Sequence, residues 1–158
     1  MLNIGCGDDD FGTHRVDIRP TKTTTHVCDV EKRLPFPDEF FDEVYERNLL
    51  EHLRNVGFHF EECHRVLKTG GKLTVITDNA ECARFYSLGT HTGRYEEKHR
   101  DNPGDRHYCI FTENHLRNHL AYIGFKVESI EKIGTNTLGK YIDAFTGQKP
   151  RLEVVARK

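Results

Sequence analysis

Several features that would assign a chain to a special class of protein are missing from these 158 residues. The five cysteines are an odd number and none forms a C-x-x-C pair, so reduced thiols are expected rather than a disulfide framework. No apolar run approaches the roughly 20 residues of a membrane span. The first residues also lack the basic and apolar regions of a secretory signal. The sequence therefore predicts a cytoplasmic protein without a membrane contact.

An excess of charge of one sign is also missing. The 23 Lys and Arg residues nearly balance the 25 Asp and Glu residues, and the formal net charge is −2 with His neutral. Such a balance gives no overall attraction for nucleic acid or for an anionic membrane, so neither is expected as a partner. Internal repeats and low-complexity tracts are absent too. We predict one domain that spans residues 1–158.

What the chain does contain is a series of short β-rich runs between helical patterns. Apolar residues at helical spacing predict helices over residues 55–68 and 112–123, and a shorter helix from residue 79. Strands are predicted at residues 2–5, 15–18, 25–30, 41–45, 72–77, 125–133 and 152–156. This alternation indicates an α/β protein with a Rossmann-like, mostly parallel twisted sheet flanked by helices and a final antiparallel strand.

The first two crossovers of this sheet are predicted to be shortened. Only about nine residues separate the first two predicted strands, and about seven separate the second and third. A helical crossover between parallel strands needs a dozen residues or more. We therefore expect loops in place of the first two crossover helices.

Distinctive residues follow the first three strands, where an open parallel sheet binds its ligands. The first strand ends in Gly5-Cys6-Gly7, where the backbone can approach a ligand and free amide N–H groups can meet an anion. The second ends in Asp17, whose carboxylate can accept hydrogen bonds from a ribose diol. The third leads into Asp29 and Val30, which offer an acceptor for an exocyclic amine and an apolar face. This order predicts a site for an adenosine-containing ligand.

The block of acid behind the glycines selects among such ligands. Three consecutive aspartates occupy residues 8–10, so that Asp10 stands where a dinucleotide-binding G-x-G-x-x-G motif has its third glycine. Three carboxylates repel a pyrophosphate, but they tolerate S-adenosylmethionine, which carries a sulfonium and an ammonium against one carboxylate. A P-loop motif is also absent. The pattern favours S-adenosylmethionine over NAD or ATP.

Longer blocks of the sequence resemble a known family. They are "LNIGCG", "VDI", "CDVEKRLPFPDEFFDEVYERNLLEHL", "CHRVLKTGGKLTVIT" and "YCIFTENHLRNHLAYIGF". Together they resemble class I S-adenosylmethionine-dependent methyltransferases, in particular the type 11 group, from about residue 2 to residue 133. The resemblance implies methyl transfer from S-adenosylmethionine as the activity. Where this family has an acidic residue before the first glycine, this chain has Asn3.

The resemblance also implies which residues bind the cofactor. Gly5, Cys6 and Gly7 are expected beside its methionine part. Asp17 and Ile18 are expected at the ribose, and Asp29 and Val30 at the adenine. Glu46 and Arg47, after the fourth strand, are expected near its amino-acid end.

Candidate catalytic residues are fewer, because methyl transfer mainly requires the nucleophile and the methyl group to be held in line. A general base is needed for some acceptors only. Asn48 and His52 follow the fourth strand, and His107 ends a polar loop at residues 89–107 that we expect to lie over the site. These three residues are the candidates for positioning or deprotonating the acceptor.

A metal site is not expected from the sequence. His115 and His119 are four residues apart on a predicted helix, but no third ligand is evident. Glu51-His52 resembles a pair of some metal-assisted quinone methyltransferases, but Asn48 stands where those have a further carboxylate.

Rival functions and the partners are left open by the sequence. The main rival is a non-catalytic methyltransferase-like module that binds a partner protein. An NAD-dependent oxidoreductase is disfavoured by Asp10 and by the short strand spacing. The acceptor can be a small molecule or another group of modest size, and a homodimer or a complex with another protein is equally open.

Overall fold

The computed structural model describes residues 1–82, 107–134 and 149–158. The described residues form a seven-stranded sheet, one 3₁₀ turn at Leu50–His52 and two α-helices. The strands are β1 (Leu2–Ile4), β2 (His14–Asp17), β3 (His26–Val27), β4 (Phe41–Arg47), β5 (Leu67–Asp78), β6 (Lys126–Ile133) and β7 (Arg151–Arg157). The helices are α1 (Val56–Val66) and α2 (Glu113–Ile123). Most of the predicted helix from residue 79 and of the predicted loop at 89–107 lies outside the described residues.

The strand order of the sheet is β3-β2-β1-β4-β5-β7-β6. All neighbours from β3 to β5 pair in parallel, with Leu2 of β1 opposite His14 of β2 and Val44 of β4. β7 pairs antiparallel with both β5 and β6. The predicted Rossmann-like, mostly parallel sheet with a final antiparallel strand is confirmed.

Loops replace the first two crossover helices, as the strand spacing predicted. Residues 5–13 and 18–25, all of which the structure describes, contain no helix. The carbonyl of Gly7 instead accepts hydrogen bonds from the hydroxyl groups of Thr21 (2.5 Å) and Thr23 (2.9 Å). These hydroxyl groups tie the second loop to the first.

The core lies between the sheet and the two helices. The helices pack against each other, α1 also packs on β5, and α2 packs on β6. Phe60 and Cys63 of α1 and Leu116 and Leu120 of α2 are completely buried, because apolar residues three or four positions apart share one helix face. Within the described part of the chain, neither helix has the length and apolar character that crossing a membrane requires.

The bounds of β3, α1 and β5 differ most from the sequence predictions. β3 covers only His26–Val27 of the six residues predicted. α1 ends at Val66 rather than at Lys68, because Leu67 already has extended backbone and pairs with Phe41 of β4. Gly70, with φ of +78°, therefore serves a bend inside β5 and does not end the helix.

Helix α2 supplies a test of these local assignments. The Thr112 side chain accepts a hydrogen bond from the amide of His115 and caps the first turn of the helix. We expect Thr112→Ala to lower the free energy of unfolding by about 1 kcal/mol, since it leaves an amide without its partner. Urea denaturation followed by circular dichroism measures this change. Thr112→Ser, which keeps the hydroxyl group, is the control and should unfold close to the native protein; equal losses in both variants would contradict the cap.

Candidate functional site

The glycine turn after β1 has the left-handed backbone that glycine favours. Gly5 has φ of +69° and Gly7 has φ of +53°. A Cβ atom at Gly5 would lie 3.0 Å from the Leu49 side chain, whereas a Cβ atom at Gly7 would meet nothing within 4 Å. The two glycines therefore have different roles: Gly5 allows close packing, and Gly7 leaves space open.

The amide groups of this turn are already bonded within the chain. The N–H groups of Gly5 and Cys6 both donate to the carbonyl of Val16, at 2.8 and 3.0 Å. The N–H of Gly7 donates to Asp17 Oδ2 at 2.9 Å. The interpretation of these amides as free donors for an anion was wrong, because the neighbouring strand β2 uses them. A turn without free amides is a poor cradle for a pyrophosphate.

The carboxylate of Asp17 is held in place at the end of β2. Oδ1 accepts from the N–H of Arg19 at 2.9 Å, while Oδ2 accepts from Gly7. Asp17 is 6% exposed, and it still lines a cavity. Each carboxylate oxygen has two lone pairs, so the group can accept further hydrogen bonds from a diol.

A second carboxylate follows β3. Asp29 Oδ1 accepts from the N–H of Glu31 at 3.0 Å, and Oδ2 lies 3.4 Å from Lys32 Nζ. The side chain of Asp29 is one-third exposed, and the neighbouring Val30 is buried. The pair offers a solvent-facing acceptor beside an apolar surface.

The next residues of the site follow the end of β4. Asn48 has φ of +51°, an unusual backbone for a residue other than glycine that asparagine tolerates better than most. Its N–H donates to the carbonyl of Ile76 at 2.8 Å, which holds the turn against β5. Leu49, His52 and Leu53 continue this wall. Strained backbone of this kind is common at functional sites.

Arg54 and Tyr108 form the rim of the cavity. The guanidinium of Arg54 lies 4.7 Å from the centroid of the Tyr108 ring, and its Nη2 donates to the Tyr108 hydroxyl at 2.9 Å. Glu31 Oε1 accepts from the amides of Arg54 (2.6 Å) and Asn55 (2.7 Å). Arg54 and Tyr108 therefore give the cavity a cation and an aromatic face. Glu31 ties the backbone of Arg54 to the segment that contains Asp29.

These walls enclose one cavity of about 520 Å³, a size typical of sites for small ligands. The cavity brings together eight residues that the sequence singled out: Gly5, Gly7, Asp17, Ile18, Asp29, Val30, Asn48 and His52. Arg19, Glu31, Leu49, Leu53, Arg54 and Tyr108 line it as well.

Four of the predicted residues are not among those lining the cavity. The Cys6 side chain is buried, with Sγ 3.7 Å from Thr24 Oγ1. Glu46 is buried in β4, and Arg47 is the last residue of that strand. The ring of His107 packs edge-to-face on the ring of His52, with 4.7 Å between the two centroids. Roles for these four residues at the cofactor or the acceptor stay predictions.

Glu46 instead pairs with a histidine of α1. Glu46 Oε2 and His59 Nε2 are 2.5 Å apart, and both residues are completely buried. Burial opposes a charge on the imidazole, but the contacts with Cys63 and Glu46 outweigh it and hold the pKa of His59 well above its ordinary value. Since His59 Nδ1 also lies 3.4 Å from the carbonyl of Val30, this ion pair supports the floor of the cavity.

A second polar cluster surrounds Glu51, the residue before His52 in the 3₁₀ turn. Glu51 is 2% exposed and accepts a hydrogen bond from the Thr77 hydroxyl at 2.9 Å. Burial and the neighbouring Asp78 raise the pKa of Glu51 to about 7. His107 Nδ1 lies 3.3 Å from Asp78 Oδ2. The amide of Tyr108 donates to the carbonyl of Glu51 at 2.7 Å and holds this segment beside the 3₁₀ turn.

Sequence comparison associates the chain with methyltransferases. Residues 9–75 match the family described as the methyltransferase domain. Over 50 residues the chain is 48% identical to the ubiquinone/menaquinone biosynthesis C-methyltransferase UbiE of Bordetella avium. That match covers 32% of this chain and 19% of the relative, so the similarity spans about a fifth of the curated relative's length.

Structural comparison covers nearly the whole chain. An S-adenosylmethionine-dependent methyltransferase from Mesorhizobium loti superposes with a TM-score of 0.70 at 20% identity, over 99% of this chain and 89% of that one. The [4+2]-cyclase SpnF superposes with a TM-score of 0.68 at 17% identity, over 99% of this chain and 74% of that one. Likeness at this level of identity shows the fold and leaves the reaction open.

The sheet order and these similarities define the fold. The chain has the Rossmann-like fold of the class I S-adenosylmethionine-dependent methyltransferases. Residues 9–75, less than half of the 158 residues, match the methyltransferase-domain family. The resemblance predicted from the sequence agrees with this match and with the fold, which together imply S-adenosylmethionine as the cofactor.

Proposed function

We propose that the chain is an enzyme that transfers a methyl group from S-adenosylmethionine to a small or modest-sized acceptor. The observation that carries the proposal is the shared cavity: Gly7, Asp17 and Asp29, at the ends of three neighbouring strands, all line it. A single domain over residues 1–158, with the 89–107 loop over the site, is part of the same proposal. Most of that loop lies outside the described residues.

The residues present fit this cofactor. Asp17 is fixed by two amide donors, so its carboxylate is oriented before a ribose diol arrives. Asp29 and Val30 offer an acceptor and an apolar surface for an adenine ring. The open space at Gly7 is where a Cβ atom would intrude on the ligand. These contacts do not require free amide groups, which suits a ligand without phosphate.

When bound, the cofactor supplies a methyl group on a sulfonium, and the task of the chain is to hold an acceptor in line with it. Asn48 has the position and the side-chain amide to orient an acceptor. Leu49 and Leu53 make that wall apolar and exclude water from it. Arg54 and Tyr108 at the rim suit an acceptor with an aromatic or anionic part.

Transfer of a labelled methyl group tests the proposal. The purified chain is incubated with methyl-tritiated S-adenosylmethionine and a cell extract separated into protein, RNA and small-molecule fractions. We expect label in the small-molecule fraction, and none when the chain is omitted or when excess S-adenosylhomocysteine is added. If all fractions stay unlabelled while S-adenosylhomocysteine binds, the enzymatic proposal fails for those acceptors and the non-catalytic binding module is favoured.

A further inference from the structure

A second cavity adjoins the cofactor cavity and shares part of its wall. Its volume is about 440 Å³, and residues from the beginning of α1, from the segment 108–111 and from α2 line it. Leu53, Arg54 and Tyr108 line both cavities. Because the two cavities meet at these residues, a molecule in the second cavity would lie next to a molecule in the first.

Most of the wall of this second cavity is apolar or aromatic. Leu53, Val56 and Phe111 are buried core residues that line it, and Tyr108 and His119 add two further rings. Two polar groups of the wall are already used within the chain. Asn55 Oδ1 accepts from the amide of Phe58 at 3.2 Å, and Cys109 Sγ donates to the carbonyl of Leu50 at 3.2 Å. A wall of this kind favours an apolar ligand, and its rings favour a flat aromatic one.

Gly57 leaves space open in this wall although the fold does not require a glycine there. It is the second residue of α1 and does not have left-handed backbone. A Cβ atom added to it would meet no atom closer than Asn55 Oδ1, at 4.0 Å. Glycine is among the least favourable residues inside a helix, so a larger residue would suit α1 better. Such a residue would also fill part of the second cavity, which gives the glycine a role in ligand binding.

A cation stands where the two cavities meet. The guanidinium of Arg54 donates to the Tyr108 hydroxyl at 2.9 Å and lies 4.7 Å from the centroid of that ring. Glu31 binds the backbone amide of Arg54, and within the described ranges no carboxylate forms an ion pair with the guanidinium at 4.0 Å or less. A guanidinium has five N–H donors, so Arg54 keeps donors for an anionic group of a ligand.

We propose that the second cavity binds the aromatic body of the methyl acceptor and that Arg54 binds an acid group on it. The acceptor is therefore an aromatic acid, an assignment that rests on the proposed function. The Tyr108 ring offers a face against which a second ring can pack. Because Arg54 and Tyr108 also line the cofactor cavity, an acceptor held by them lies beside the cofactor.

Two fluorescent probes with the same aromatic rings test the cavity. 8-Anilinonaphthalene-1-sulfonate carries one sulfonate, and N-phenyl-1-naphthylamine carries none; both fluoresce more strongly in apolar surroundings. The native chain should bind the sulfonate probe about tenfold more tightly, as one hydrogen bond to a charged group allows. Arg54→Gln should remove this preference and keep the binding of the uncharged probe, whereas Arg54→Lys should keep part of the preference.

Gly57→Leu tests whether the probes occupy the second cavity. The leucine side chain would fill the open space, so the affinity for both probes should fall by about tenfold or more. Glu61→Leu is the matched control, because it places the same side chain on the exposed surface of α1 and should bind both probes like the native chain. Circular dichroism establishes that the variants are folded, and Gly57→Ala replaces Gly57→Leu if that variant is not.

Binding of S-adenosylhomocysteine separates this inference from the proposed function. Gly57 does not line the cofactor cavity, so calorimetry should give the same affinity for S-adenosylhomocysteine in Gly57→Leu and in the native chain. In the labelled-methyl assay, the labelled small molecule should bind to an anion-exchange resin. Gly57→Leu should lower its yield by about tenfold at low acceptor concentration, in parallel with the loss of probe affinity.

Several results would overturn the inference. Equal probe affinities in folded Gly57→Leu and in the native chain would remove the second cavity as the site. Displacement of the probe by S-adenosylhomocysteine would place it in the cofactor cavity instead. A labelled product that does not bind the resin, or native yield in Gly57→Leu, would reject the aromatic acid as acceptor while the proposed function stands. Absence of both cofactor binding and labelling would reject the proposed function, and the acceptor assignment with it.

Discussion

Gly7→Val should abolish the binding of S-adenosylhomocysteine while the chain still folds. Gly7 lines the cavity, and a Cβ atom there meets nothing within 4 Å, so the added side chain occupies space that the ligand needs. The backbone φ of +53° adds strain of roughly 1–2 kcal/mol, which lowers stability without unfolding a typical domain. We expect affinity to fall by about a hundredfold or more, equivalent to nearly 3 kcal/mol. Isothermal titration calorimetry measures it.

Gly70→Val is the matched control. Gly70 has φ of +78°, and a Cβ atom added there would also meet nothing within 4 Å, but this glycine lies in the bend of β5 and does not line the cavity. The two variants therefore share the backbone strain and differ in the blocked space. Asp17→Ala should also weaken binding, by about tenfold to a hundredfold, since it removes a fixed acceptor. Equal affinities in Gly7→Val and Gly70→Val would contradict the placement of the cofactor.

The largest effect on stability is expected at the buried ion pair. His59→Ala leaves the carboxylate of Glu46 buried without its cation, and such a loss commonly lowers the free energy of unfolding by about 3–5 kcal/mol. The double variant Glu46→Leu/His59→Leu removes both charges and should be close to the native chain in stability. Urea denaturation measures both variants. His115→Ala, on the exposed surface of α2, is the control for the loss of a histidine and should unfold like the native chain.

The same pair predicts a dependence on pH. Because the pKa of His59 is raised in the folded chain, its contribution to stability is fully present below the ordinary value of 6.5 and is lost as pH rises through the folded value. The native chain should therefore lose stability relative to the double leucine variant as pH rises from 6 to about 9. A constant difference across that range, or a loss under about 1 kcal/mol in His59→Ala, would refute the ion pair.

Local signals predicted much of the fold. Leu2 and Ile4 are buried strand residues followed by glycine, and α2 begins at a threonine cap and ends at Gly124, which has φ of +112°. The same local signals misplaced the end of α1, because Leu67 joins β5 through its pairing with Phe41. Propensity at one position carries no information about such a partner strand.

The cofactor side of the site could be predicted because it depends on topology. Parallel strands bring their carboxyl ends to one edge of a sheet, so Asp17 and Asp29 meet at one cavity although they are twelve residues apart. The acceptor side depends on tertiary contacts. Tyr108 reaches the rim through a backbone hydrogen bond to Glu51, and no motif marks that contact. In the sequence, the one indication that these two residues belong to the site is their position. Arg54 follows "LEHL", and Tyr108 follows the polar loop at 89–107.

The pairing of Glu46 with His59 was missed for a similar reason. The two residues are thirteen positions apart, on β4 and α1, and each has an ordinary interpretation by itself. Only the packing of α1 on the sheet brings His59 against Glu46.

The threonine hydroxyl groups that hold Gly7 have an evolutionary consequence. A crossover helix constrains the length of the segment that contains it, because its turns must fit the neighbouring strand. Here Thr21 and Thr23 anchor one short loop to another by side chains alone. Segments on this flank can therefore vary in length and acquire new substrate-recognition surfaces while the strand tips beneath them keep their positions.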